Sequence, residues 1–248
     1  MRNNSFIVFA ALICFLLLNG CKKDDATAPS PKVTGDLMGT VQLRNEKGVY
    51  ASNHSAITVS VEGTNLSSQT DEGGNYSIKG IEEGDKIIVY SKNGYGTFKE
   101  VIHIDGNSTK HPNGIDIFEL PPFNVKNLSA KIITNGFELS GGITNTLDDI
   151  RGLVVFAFSD STVSSEPSKY LFAKSYTIMH DSSSFTASVW FSDLLQNGFK
   201  SGQKVYFVAY GSISTGYSGT YYWDIKNNKT FYCCLSKTSS NKINISIP

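Results

Sequence analysis

Cysteine is scarce in this 248-residue chain: there are four, and two of them fall within the first 21 residues. The remaining pair, Cys233 and Cys234, is adjacent, so the spacing gives neither a disulfide framework nor a zinc site. An excess of charge of either sign is also missing, with 22 bases against 22 acids. This excludes nucleic acid as a partner and gives no broad field toward anionic lipid. The four histidines, His54, His103, His111 and His180, are scattered, and none falls in a metal-binding helix spacing. No metal or other cofactor is expected. Methionine is limited to three residues, and no stretch keeps a helical period, which argues against a helical bundle. The longest apolar run, Phe6 to Leu18, is shorter than the roughly 20 residues a membrane-spanning helix needs.

That run instead has the length of a signal-peptide core, with Arg2 and no acid on its N-terminal flank. It ends in Leu18-Asn19-Gly20-Cys21, which resembles the lipobox of bacterial lipoproteins. The resemblance implies cleavage before Cys21, acylation of its sulfur and a second acylation at the new amino terminus. Residues 1–20 then form the signal peptide, and 21–32 the lipidated cysteine with its tether. Lys22, Lys23, Asp24 and Asp25 resemble the export signal of surface lipoproteins of Bacteroidota. The expected location is the outer membrane, lipid-anchored and exposed at the cell surface, with the membrane a partner through lipid alone. Pro29 and Pro31 make the rest of the tether a semi-extended spacer.

Beyond residue 32, alternation of period two dominates. Gly39, Val41 and Leu43 alternate with polar neighbours, as do Ile57, Val59 and Val61. Tyr76 to Ile78, Ile87 to Tyr90, Val101 to Ile104 and Ile115 to Leu120 continue the series. The fold class expected is all-β, with two antiparallel β-sandwich domains in tandem, over 33–120 and 123–248. Pro121-Pro122 separates them. In the second half, Phe137 to Ile143, Leu153 to Phe158, Phe185 to Phe191, Val205 to Tyr210, Tyr221 to Ile225, Thr230 to Leu235 and Ile243 to Ile247 are the predicted strands. Asn227-Asn228 is a predicted hairpin turn, and Asp193 to Gly198 a single helical turn. Cys233 and Cys234, in a strand, are expected to point to opposite faces.

In the first half, Gly39-x-Val41, Ile57-x-Val59-x-Val61-x-Gly63, Thr70-Asp71-x-x-Gly74-x-Tyr76, Gly84 and Gly94-Tyr95 occur in order. This set resembles the carboxypeptidase regulatory-like domains, seven-stranded sandwiches of transthyretin-like topology. Glu72-Gly73 gives one residue more than the usual spacing. The resemblance implies a supporting or binding module without catalytic residues. Asp71, Glu72 and Asn75 offer oxygens of the kind that ligate Ca²⁺, but an Asx-type turn accounts for them without a metal. The second half resembles immunoglobulin and fibronectin type III sandwiches, with Tyr206 as a candidate tyrosine-corner residue.

Catalytic groups do not converge. Gly216-Tyr217-Ser218-Gly219-Thr220 departs from G-x-S-x-G at its last position, and Asp148-Asp149 reads as a solvated turn. No enzymatic activity is expected. Tyr217, Tyr221, Tyr222, Trp223, Phe231 and Tyr232 form an aromatic cluster. Core packing claims part of it, and Tyr217, Tyr221, Tyr222 and Trp223 are the candidate platform for a ligand. The expected role is a non-enzymatic binding or structural module with a protein or polysaccharide partner. A fimbrial or adhesin subunit and a glycan-binding accessory of a nutrient-uptake system are the alternatives.

Overall fold

The computed structural model describes residues 32–111, 114–145, 150–179, 181–213 and 219–248. Its first half contains β1 (Thr34–Arg44), β2 (Thr58–Val61), β3 (Ser67–Gln69), β4 (Asn75–Glu82), β5 (Gly84–Ser91), β6 (Phe98–Ile104), β7 (Ser108–Lys110) and β8 (Ile115–Phe118). One sheet runs β4-β1-β7, with β8 also on β1; the other runs β3-β2-β5-β6. Alternate residues of β1, Leu37, Val41 and Leu43, meet Val59, Ile88, Tyr90 and Ile104 in one apolar core. The first of these sheets is mixed. β1 pairs with β4 antiparallel but with β7 and β8 in parallel. Alternation places side chains on faces and carries no information on strand direction, so these two parallel pairings within the antiparallel all-β fold are not legible from it.

The second half holds β9 (Val125–Ile133), β10 (Gly136–Ile143), β11 (Arg151–Phe158), β12 (Phe172–Ile178), β13 (Ser184–Trp190), α1 (Phe191–Gln196), β14 (Lys204–Ser212), β15 (Tyr221–Asp224), β16 (Lys229–Tyr232) and β17 (Ile243–Ser246). Its sheets run β13-β10-β9 and β12-β11-β14-β17, with β15-β16 a separate hairpin. Phe137, Leu139, Phe185, Val189 and Phe207 fill the core together with Leu153, Val155 and Ala157 of β11. The other face of β11 is covered too. Val154 and Phe156 pack there with Val163, Tyr170 and Val208, and Tyr232 of β16 lies against them.

The described protein is therefore all-β, with one short α-helix among the described residues. Residues 33–248 form one compact unit. A further cluster of Phe118, Ile213, Cys233 and Cys234, with Phe98, Tyr222 and Phe231 against it, carries apolar contact between the halves. Gly96 lies in that contact, because a Cβ there would come 2.6 Å from both Cys233 O and Cys234 Sγ.

The two cysteines depart from expectation. β16 ends at Tyr232, so neither lies in a regular strand. Their side chains converge in the junction cluster, with Sγ atoms 3.7 Å apart, instead of pointing to opposite faces. The hydrogen bond with the neighbouring Cys234 thiol, and then burial, push the Cys233 thiol upward in pKa. Tyr206 also departs: its hydroxyl makes no hydrogen bond to the described residues, and its ring packs beside the Phe156 cluster. No helix among the described residues is long and apolar enough to cross a membrane.

Candidate functional site

Alternation divides the hairpin's aromatic residues cleanly. Tyr221 and Trp223 stand outward, 49% and 56% exposed, with Ile225 at 62% beyond them. Tyr222 turns inward, where its ring stacks on Phe231 at 4.9 Å and meets Phe98 of β6 edge-on at 5.8 Å. Tyr222 thereby ties the hairpin to the first half of the chain. On the other strand Tyr232 packs edge-on against Phe156 at 5.9 Å. Tyr170 donates its hydroxyl to Thr230 O at 2.6 Å, and Lys229 Nζ donates to the carbonyls of Pro167 and Tyr170. Asp224 closes the turn by accepting from the Asn227 backbone and side-chain amides, and Asn228 takes a φ of +52°. Fixed at both strands and at its tip, the hairpin presents Trp223 from a preorganised frame.

Between this hairpin and β6 lies a groove of about 280 Å³. Ile87 and Val101, a cross-strand pair, supply an apolar surface. Glu62 and Lys99 form an ion pair within it. Glu100 is held from behind, accepting from the Tyr90 hydroxyl at 2.7 Å and lying 3.1 Å from His111 Nε2. On the hairpin side are Tyr222, Trp223, Asp224 and the turn residues Ile225, Lys226 and Asn227. Burial raises the pKa of the Tyr222 hydroxyl, which stays protonated and makes no hydrogen bond to the described residues. The groove therefore offers apolar side chains and fixed donors and acceptors in a concave site, with Trp223 on its hairpin wall.

A second cleft, of about 220 Å³, lies on the other side of Trp223 and is bounded by Tyr170, Asn197, Asn228 and Tyr232 among others.

Of the residues singled out from sequence, Tyr221, Tyr222 and Trp223 come together here. Tyr222 is a partly buried anchor, while Trp223 is the open surface. Cys21, Lys22, Lys23, Asp24, Asp25 and Tyr217 lie outside the described residues, as do Asp148, Asp149 and His180. Asp71 forms the expected turn: it accepts from the Asn75 backbone at 2.8 Å and from the Asn75 side chain. These bonds hold its carboxyl below the usual 3.8. His54 Nδ1 accepts from the Leu43 amide, and His103 pairs with Asp85, so the described histidines serve separate places. Among the described residues, no cluster of three or more His, Cys, Asp or Glu could hold a metal ion. Sequence reasoning missed Glu62, Lys99 and Glu100, because no local signal connects them to a hairpin more than a hundred residues later.

The sequence matches no family model and no curated protein. Solved structures with some likeness include a DUF3823 family protein of Bacteroides uniformis, at 12% identity and TM-score 0.33, covering 88% of this chain and 100% of that one. A DUF3823 family protein of Bacteroides ovatus has 15% identity and TM-score 0.31, with the same coverage of each chain. A candidate carbohydrate-binding protein of Bacteroides uniformis has 13% identity and TM-score 0.32, covering 86% of this chain and 99% of that one. At these identities and scores the likenesses carry no argument about fold or function for this chain.

Proposed function

We propose that this chain is a non-enzymatic, lipid-anchored cell-surface protein whose hairpin groove binds a polysaccharide. The anchor reading rests on Cys21 and the residues around it. The ligand reading is carried by one observation: a rigidly mounted Trp223, 56% exposed, at the edge of a groove with unengaged polar groups. Large exposed aromatics are informative where isolated surface apolar residues are not. An indole face stacks on the C–H face of a pyranose ring, while hydroxyl, carboxylate and ammonium groups beside it bond the sugar hydroxyls. A protein partner would more readily bury a wide apolar patch, and here charged residues interrupt the apolar surface.

Calorimetry of wild type and Trp223→Ala against a polysaccharide panel tests the reading. The substitution removes an exposed side chain and is expected to shift unfolding by no more than about 0.5 kcal/mol. Affinity is expected to fall roughly tenfold, about 1.4 kcal/mol. Equal binding by both proteins would refute the site, and turnover of the bound polysaccharide would refute the non-enzymatic assignment.

A further inference from the structure

Trp223 is a wall of two clefts at once, one toward β6 and one toward Tyr170 and Tyr232. A ligand confined to the first cleft would use only the groups on that side of the hairpin. Yet the second cleft also carries unengaged polar groups. The Asn228 side chain is exposed and makes no hydrogen bond to the described residues, and neither does the Tyr232 hydroxyl. Asn197 gives its Nδ2 to Asp193 O at 2.7 Å, leaving its Oδ1 available. Polar groups thus flank the aromatic ridge on both sides.

Charge narrows the ligand further. In the first cleft Lys99 is paired with Glu62, so Lys226 stands against Glu100 and Asp224. In the second, Lys229 Nζ is already engaged by the carbonyls of Pro167 and Tyr170. Neither cleft has a surplus of cations with which to hold an anionic chain.

We infer that the ligand is a neutral, linear polysaccharide that crosses the hairpin at Trp223 and is engaged along its interior, with no requirement for a chain end. This rests on the glycan reading proposed above and specifies what that site accepts. A longer chain occupies both clefts, and contacts in the second add to those in the first without a second association cost.

The test uses the full chain and calorimetry with ladders of linear gluco-, xylo- and manno-oligosaccharides, from dimer to hexamer. Hexamers with the reducing end blocked and a linear polyuronate complete the set. Two conservative variants address the far cleft. Tyr232→Phe keeps the ring against Phe156 and removes the hydroxyl; Asn228→Gly keeps the positive φ and removes the amide. Thermal melts establish that both are folded.

For one ladder, affinity is expected to rise at least tenfold from dimer to hexamer, with the blocked hexamer binding as well as the free one and the polyuronate not binding. The double variant is expected to weaken the hexamer at least threefold and to leave the dimer unchanged. Equal affinity for dimer and hexamer, dependence on a free end, preference for the polyuronate, or a double variant that binds the hexamer like wild type would each overturn the inference while leaving the first groove as the site. If no saccharide of any length binds, the glycan reading itself falls and takes this inference with it.

Discussion

Gly74 has a φ of +81°, and a Cβ on it would lie 2.1 Å from the Val41 carbonyl oxygen. The turn closed by Asp71 and Asn75 therefore sits directly on β1, and glycine is needed for two separate reasons, conformation and contact. Gly63 has a similar φ of +77° but nothing within 4 Å of its would-be Cβ. Gly74→Ala is expected to cost about 3 kcal/mol and Gly63→Ala about 1 kcal/mol, measured by urea unfolding. Comparable losses would show that strain in φ alone governs both positions. Trp223 is the opposite kind of residue, since little of the fold depends on its indole. Tyr222, one position earlier, holds the hairpin through Phe98 and Phe231 and is unsuitable as a probe of binding alone.

The elements of the first half are linked by a polar chain within its core. The Tyr76 hydroxyl lies 3.2 Å from that of Tyr90, and Tyr90 donates to Glu100, so β4, β5 and β6 are connected in series. Burial pushes the Tyr76 hydroxyl up to about 12 from the ordinary 10.0, and burial raises Tyr90 further. With the folded value above the unfolded one, this stabilisation is complete below pH 10 and is lost as pH rises through the folded value. Urea midpoints should accordingly decline between roughly pH 10 and 12, and Tyr76→Phe should make that decline shallower. An identical pH profile in the variant would show that Tyr76 contributes nothing to it. At this scale some strands were visible from alternation alone. Phe185, Ala187 and Val189 are buried while Ser184, Thr186 and Trp190 are exposed, as the period of two requires. The three-residue strands β3 and β7 carry no apolar alternation to reveal them, being Ser-Ser-Gln and Ser-Thr-Lys.

For the whole molecule, the decisive proposal is that acyl chains on Cys21 keep the folded part at a membrane. Each buried methylene is worth about 0.8 kcal/mol, and two chains anchor where one is marginal. Cys21→Ser is expected to abolish incorporation of radiolabelled palmitate and to move the protein from the membrane pellet to the soluble fraction. Retention in the pellet without label would sink the lipid anchor.

Composition and local periodicity were enough to determine an all-β chain, the Asp71 turn, and the placement of Tyr221 and Trp223 on one face opposite Tyr222. These are properties of neighbouring residues, and a side-chain period of two is set by the backbone itself. Tertiary structure alone decided that Lys99, Glu100 and Val101 would face a hairpin at 221–232, that Cys233 and Cys234 would converge, and that β1 would pair in parallel with β7 and β8. Such approaches are selected by which apolar faces bury one another across long loops, and that choice depends on the whole set of cores at once.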